Sequence, residues 1–151
     1  MKQFLFISAF WLATVTLAFG QFSLPKLNYS YSALEPFIDS VTMRIHYSAH
    51  HAAYINNLNK AIEKAPQLKG KTIEQILKTL STLPADVQTT IRNNGGGHYN
   101  HTFFWSILTS PDKSKMSPKL EEFLTTNYGS VDKFKAAFEN VAMSRFGSGW
   151  A

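Results

Sequence analysis

The feature that most constrains the fold of this chain is a stretch from residue 39 to residue 65 that contains neither glycine nor proline. Apolar and aromatic side chains recur within it at steps of three or four residues, which is the spacing of one helical face. The positions on this face are Met43, Tyr47, His50, Tyr54, Leu58 and Ala61. The pattern predicts one long amphipathic helix, which Pro66 and Gly70 end.

A second long helix is predicted from Asp86 to Leu108, and three consecutive glycines lie in its middle, at 95–97. Each interior glycine costs a helix about 1 kcal/mol relative to alanine. Three in a row therefore indicate either a break in the helix or a place that another backbone or a site must approach closely.

Three shorter helices are indicated by hydroxyl side chains at their starts, which can cap free backbone N–H groups. The first begins after Thr72 and ends near Pro84, the second begins after Ser117 and ends at Gly129, and the third begins after Ser130 and ends near Arg145. No segment predicts a strand, so we expect the chain to be mostly helical.

All five histidines fall into two clusters, His46, His50 and His51 in the first long helix and His98 and His101 in the second. Spacings of three or four place two imidazoles on one helical face, as a metal requires, and two antiparallel helices can bring such pairs together. Spacing alone favours His46 with His50, and His98 with His101, as chelating pairs. Buried, hydrogen-bonded histidines in aromatic-rich helices explain the same spacing equally well.

Composition excludes several kinds of chemistry. The chain has no cysteine, which rules out disulfides, thiolate metal ligands and cysteine nucleophiles. The net charge of +5 suits a small anionic ligand, but the lysines and arginines form no run of the kind that nucleic-acid binding needs. The zinc-protease motif HExxH is absent, and no Lys-Ser/Thr pair follows the three glycines as it would in a phosphate-binding loop.

The first twenty residues have the layout of a secretory signal peptide. Lys2 precedes an uncharged apolar stretch at 3–19, and the small residues Ala18 and Gly20 lie where a signal peptidase cuts. The alternative is an uncleaved membrane anchor, although the stretch is slightly shorter than the ~20 residues of a spanning helix. We expect cleavage near Gly20 and export to a periplasmic or extracellular location. Only this segment is expected to interact with a membrane.

Because the sequence stops inside a glycine-rich turn at 146–151, we also expect that it is a fragment of a longer protein.

Five segments carry specific motifs: LPKLNY (24–29), ALEP (33–36), MRIHYSAHHAAYINN (43–57), RNNGGGHYNHTFFW (92–105) and FGSGWA (146–151). Together, and in this order, they closely resemble the N-terminal half of the manganese/iron superoxide dismutases. The resemblance implies an N-terminal antiparallel helical hairpin followed by the opening helices of a truncated C-terminal α/β domain. The expected divisions are a signal peptide at 1–20, the hairpin domain at 21–110 and the start of the metal-binding domain at 111–151.

The resemblance also implies a metal ion between the two domains, with His46 and His101 as ligands, one from each long helix. In this family, therefore, only one histidine of each spaced pair is a metal ligand. The family's other ligands, an Asp and a His in an Asp-x-Trp-Glu-His segment, do not occur in this chain. The remaining implied positions are His50 and Tyr54 in the substrate funnel, Trp105 and Trp150 in the walls of the metal cavity, and Phe146 and Ser148 at a dimer contact.

The implied activity is superoxide dismutation, in which two superoxide anions and two protons become dioxygen and hydrogen peroxide as the ion alternates between two oxidation states. Gly97 favours manganese, because iron-type members commonly carry glutamine just before the position of His98. Iron remains the alternative metal. We expect the complete protein to form a homodimer or homotetramer, and we expect the fragment given by this sequence to be inactive on its own. If the gene ends at Ala151, the alternative is a non-catalytic helical module that binds metal or a partner.

Overall fold

The computed structural model describes residues 21–145 and 149–151. In these residues the secondary structure is helical, without a strand, as the sequence predicts. The α-helices are α1 (Ser40–Ile45), α2 (Ala52–Glu63), α3 (Ile73–Lys78), α4 (Ala85–Ile107), α5 (Pro118–Tyr128) and α6 (Val131–Ser144). A π-helical stretch (His46–His51) joins α1 to α2, and 3-10 helices lie at Tyr31–Leu34, Pro66–Leu68, Leu80–Thr82 and Pro111–Lys113.

The chain divides into two compact units. The first contains residues 21–28 and 41–108, and the second contains residues 29–40 and 109–151. All five histidines belong to the first unit. The signal peptide predicted at 1–20 lies outside the described residues. Within the part of the chain that is described, no helix is both long enough and apolar enough to cross a membrane.

The first unit is built on an antiparallel hairpin of α2 and α4. Tyr54 of α2 contacts Gly97 of α4, and Leu58, one turn later in α2, contacts Gly95, which comes earlier in α4. The two helices therefore run in opposite directions. The core fills the hairpin below these contacts and includes residues of α3 and of the connecting turns. Its buried members are Leu58, Ala61, Ile62, Ala65, Leu68, Ile76, Leu83, Val87 and Ile91. Apolar burial in this core therefore holds the two long helices together.

The first long helix departs from the predicted single α-helical face. His51 is buried and His50 is exposed, and the next buried positions along α2 are Ile55 and Leu58. The expectation that His50 lies on the buried face is therefore wrong. The predicted face took the wrong member of the adjacent pair. His51 stands four residues before Ile55 and seven before Leu58 and so shares their face of the helix, whereas His50 points away from it.

The three glycines do not break α4, which runs without interruption from Ala85 to Ile107. The close approach that the sequence offered as the alternative is what the structure shows. A Cβ atom built at Gly97 would lie 2.5 Å from Cδ1 of Tyr54, well inside van der Waals contact. Gly97 thus permits the Tyr54 ring to lie directly on the backbone of α4.

The second unit contains α5 and α6, and both helices begin at their predicted caps. The Ser117 hydroxyl accepts a hydrogen bond from the backbone N–H of Leu120 (3.2 Å), and Ser130 does the same for Lys133 (3.1 Å). Gly129 ends α5 in a left-handed conformation with φ +83°. These local signals define the two helices without help from a large core, since α6 has no buried residue.

Candidate metal centre

Two of the predicted site residues meet across the hairpin. His46 lies in the π-helical stretch and His101 lies in α4, and their Nε2 atoms are 2.9 Å apart. The two rings are perpendicular, with planes 88° apart and centroids 4.9 Å apart. Both side chains are half-buried.

The orientation of the His101 ring follows from its hydrogen bond to the backbone. Its Nδ1 lies 2.7 Å from the carbonyl oxygen of Gly97, one helical turn earlier. A carbonyl can only accept, so Nδ1 carries the proton and Nε2 of the neutral ring has a free lone pair. His46 donates its Nε2 proton to that lone pair, and a metal ion bound between the two nitrogens would replace this proton. The hydrogen bond to the Gly97 carbonyl thus leaves Nε2 of His101 as the nitrogen that can accept a proton or bind a metal ion.

Burial keeps this group of imidazoles neutral. Desolvation lowers the pKa of His46, and the neighbouring His101 and His50 lower it further. Desolvation also lowers the pKa of His101, against the opposing effect of its bond to Gly97. Metal ions bind the deprotonated nitrogen of imidazole, so the environment favours the form that a ligand requires.

A second histidine pair lies deeper in the hairpin, and spacing arguments did not find it. Nε2 of His51 is 2.8 Å from Nδ1 of His98, and the indole N–H of Trp105 donates to Nδ1 of His51 over 3.0 Å. His51 has no exposed surface, and Trp105 and His98 are 4% and 7% exposed. Desolvation and the neighbouring His98 lower the pKa of His51 to about 3. The adjacent His50-His51 pair was the available signal, and the spacing of four and seven residues from His51 to the apolar Ile55 and Leu58 would have identified the inward member.

Three further side chains lie next to the rings of His46 and His101, namely Tyr54, His50 and Trp105. The Tyr54 ring lies 5.1 Å from that of His101, and the His50 ring lies 6.2 Å from that of His46. Trp105 is edge-on to His46, with centroids 4.9 Å apart. The structure therefore brings all three to the His46–His101 pair, His50 from the exposed side.

Three predicted positions lie near the end of the sequence. Trp150 is 40% exposed and belongs to the second unit. The proposed dimer-contact residues Phe146 and Ser148 lie outside the described residues.

The two imidazole nitrogens are spaced as two ligands of a single metal ion would be. Two imidazole nitrogens that bind one ion at about 2.1 Å each, with their bonds at a right angle, are separated by about 3 Å. The observed 2.9 Å between the Nε2 atoms is close to that separation. Among the described residues, no group of three or more His, Cys, Asp or Glu side chains is placed to hold an ion. His46 and His101 can thus supply two ligands, and the rest of the coordination sphere must come from elsewhere.

Comparison with known proteins identifies the family of this chain. Residues 21–109 match the model of the α-hairpin domain of the iron/manganese superoxide dismutases, and residues 116–151 match the model of their C-terminal domain. The chain is 48% identical over 130 residues to proteins named manganese superoxide dismutase from Thermus aquaticus and Thermus thermophilus. The match covers 86% of this chain but only 64% of the length of each relative. The chain therefore belongs to the iron/manganese superoxide dismutase family.

Proposed function

We propose that this chain forms the helical half of a manganese site in a superoxide dismutase, with His46 and His101 as two of the metal ligands. The observation that carries the proposal is the 2.9 Å approach of their Nε2 atoms across the hairpin, in a chain of this family. The remaining ligands are expected from the part of the relatives that this chain does not cover. Manganese or iron is the metal that the family implies, and nitrogen and carboxylate ligands suit both.

A bound metal ion would supply the one-electron chemistry, taking an electron from one superoxide and giving it to a second. The chain's own residues hold the ligands and manage protons. The Gly97 carbonyl keeps the proton of His101 on Nδ1, and Trp105 packs against the edge of His46. The reaction consumes two protons for each hydrogen peroxide, and we assign their delivery to the Tyr54 hydroxyl and the exposed His50 imidazole, both beside the ligand pair.

The preference for manganese over iron is supported by the packing at Gly97. The Tyr54 ring occupies the space that any side chain at this position would need. A glutamine here could not reach the site from α4 without displacing Tyr54. A group that hydrogen-bonds metal-bound solvent must therefore come from outside this helix, which is the manganese-type arrangement that Gly97 indicates.

The first experiment reads the coding sequence beyond the codon for Ala151. Because the relatives are longer than this chain, we expect the reading frame to continue into an Asp-x-Trp-Glu-His segment that provides the other two ligands. A stop codon at this point would instead favour a non-catalytic helical module. Whatever follows Ala151, residues 21–151 alone are expected to bind manganese weakly and to have no dismutase activity, and robust activity of the purified chain would contradict this.

The second experiment uses the protein extended by that segment. We expect activity after reconstitution with manganese and much weaker activity with iron, and equal activity with iron would contradict the manganese assignment. Replacement of His46 or His101 by alanine should each abolish metal retention. Tyr54→Phe is the matched conservative change, which should keep the metal and alter turnover. Loss of metal in His50→Ala but not in His46→Ala would contradict the ligand assignment.

Export, oligomeric state and the roles of Trp150, Phe146 and Ser148 stay predictions from the sequence. N-terminal sequencing of the protein from its native compartment tests export, since cleavage near Gly20 leaves a chain that begins at or near Gln21. An intact Met1 in the membrane fraction would indicate an anchor.

A further inference from the structure

The buried histidines behind the ligand pair, His51 and His98, have no part in the function proposed above. Their hydrogen bonds nevertheless fix their protonation uniquely. The indole N–H of Trp105 is a donor only, so Nδ1 of His51 must be an acceptor and carries no proton. Neutral His51 then has its proton on Nε2, which donates to Nδ1 of His98 over 2.8 Å. One indole N–H therefore sets the tautomers of two buried imidazoles.

The His51 ring is also held in place. Both of its nitrogens are hydrogen-bonded, and no part of the side chain is exposed. One neighbour across its face is His101, whose ring lies 5.3 Å away with its plane 27° from parallel. A ring that is anchored at two points and fully buried cannot turn, so His51 presents a fixed flat surface to His101.

This surface restrains His101 independently of its hydrogen bond to His46, which a metal ion would replace. The remaining hydrogen bond, from Nδ1 to the Gly97 carbonyl, fixes only one atom of the ring. Contact with the His51 ring, together with the Tyr54 ring 5.1 Å away, then limits rotation of the imidazole about that bond. With both restraints present, Nε2 points across the hairpin at His46, 2.9 Å away.

We propose that His51, anchored by Trp105 and His98, is a positioning residue that fixes the plane of the His101 ring and aims its Nε2 at the metal position shared with His46. The proposal rests on the metal-binding role proposed above for His46 and His101. Groups that orient metal ligands typically change metal affinity 10–100-fold when they are replaced.

The first test needs no metal and no variant. Long-range ¹H–¹⁵N correlation spectra of the full chain with ¹⁵N-labelled histidine report which ring nitrogen carries each proton. We expect the proton on Nε2 in His51 and His98 and on Nδ1 in His101. A proton on Nδ1 of His51 overturns the proposal. In Trp105→Phe, which removes only the indole donor and keeps an aromatic ring, His51 should become a mixture of tautomers.

The second test measures affinity with Ni²⁺ alone, because imidazole sites bind it more tightly than Mn²⁺. We expect His51→Phe and Trp105→Phe each to weaken binding 10–100-fold, although both predicted ligands remain. If Trp105 acts through His51, the double variant should be no weaker than the worse single variant. The matched control is Ile91→Ala, which removes a fully buried side chain from the same helix, α4, and should retain wild-type affinity.

The outcomes separate this proposal from the proposed function. A chain with the expected tautomers that binds no Ni²⁺ through His46 and His101 contradicts the metal site itself. A chain that binds Ni²⁺, with affinity unchanged by His51→Phe or with additive losses in the double variant, contradicts only the positioning role.

Discussion

Replacement of Gly97 by alanine tests the close packing on which the site depends. The new Cβ would lie 2.5, 2.7 and 2.8 Å from Cδ1, Cγ and Cε1 of the Tyr54 ring. Because these are ring atoms rather than the end of a flexible chain, the whole ring must move by about 1 Å to reach ordinary contact distance. The movement displaces Tyr54 from its place beside His101.

Gly96 provides the matched control for the magnitude. A Cβ at Gly96 meets nothing within 4 Å, although it lies in the same helix and the same glycine run. Both substitutions gain about 1 kcal/mol of helix propensity. That gain cancels between them, so the difference in unfolding free energy isolates the steric cost at Gly97, which is about 1–3 kcal/mol for overpacking.

Urea unfolding followed by circular dichroism measures both variants. We expect Gly96→Ala to be more stable than the wild type and Gly97→Ala to be less stable than Gly96→Ala by the stated amount. Gly97→Ala should also weaken Ni²⁺ binding, since the Tyr54 ring that it displaces packs against the ring of His101. Equal stability of the two variants would refute the argument from the Tyr54 contact.

Three further predictions concern stability. Burial lowers the pKa of His51 from 6.5 to about 3, so the unfolded chain takes up a proton that the folded chain excludes. The free energy of unfolding should therefore be highest above pH 6.5 and fall as the pH drops toward 3. This residue alone should lower it by about 2 kcal/mol at pH 5, as measured by urea titrations at pH 5 and above pH 6.5. An unchanged urea midpoint would contradict the prediction. Thr72→Ala removes the hydroxyl that accepts a hydrogen bond from the backbone N–H of Gln75, and it should lower the free energy of unfolding by about 1 kcal/mol. The control is Ser81→Ala, at an exposed position that is not a helix cap, which should have a negligible effect. Gly129→Ala places a Cβ at φ +83° and should cost about 1 kcal/mol in thermal unfolding, and a stabilised variant would show that α5 ends differently.

Local signals predicted the helices well because their physics is confined to a few neighbouring residues. Thr72, Ser117 and Ser130 each cap a backbone N–H as expected, and Gly129 ends α5 with a positive φ. The short helix after Thr72 ends earlier than predicted, at Lys78, and a 3-10 turn continues the chain toward Pro84. Ends of helices are set by competition with the following turn, which residue spacing alone does not describe.

The pairing of histidines shows where sequence reasoning stops. Spacing grouped His46 with His50 and His98 with His101, because it assumes an ideal helix and sees only one helix at a time. The structure pairs His46 with His101 and His51 with His98 instead, each across the hairpin. The family motifs identified His46 and His101, but no pattern within the chain distinguishes them from their neighbours.

The sequence by itself therefore determined the helical elements, their caps and the two histidine clusters, since these follow from short-range hydrogen bonding and hydrophobic periodicity. The tertiary structure decided which imidazole nitrogens meet. The approach of His46 to His101 and that of His51 to His98 depend on how closely the two long helices pack, which the contact of the Tyr54 ring with Gly97 helps to set. Both are consequences of packing one helix against another, and such packing involves residues far apart in the sequence.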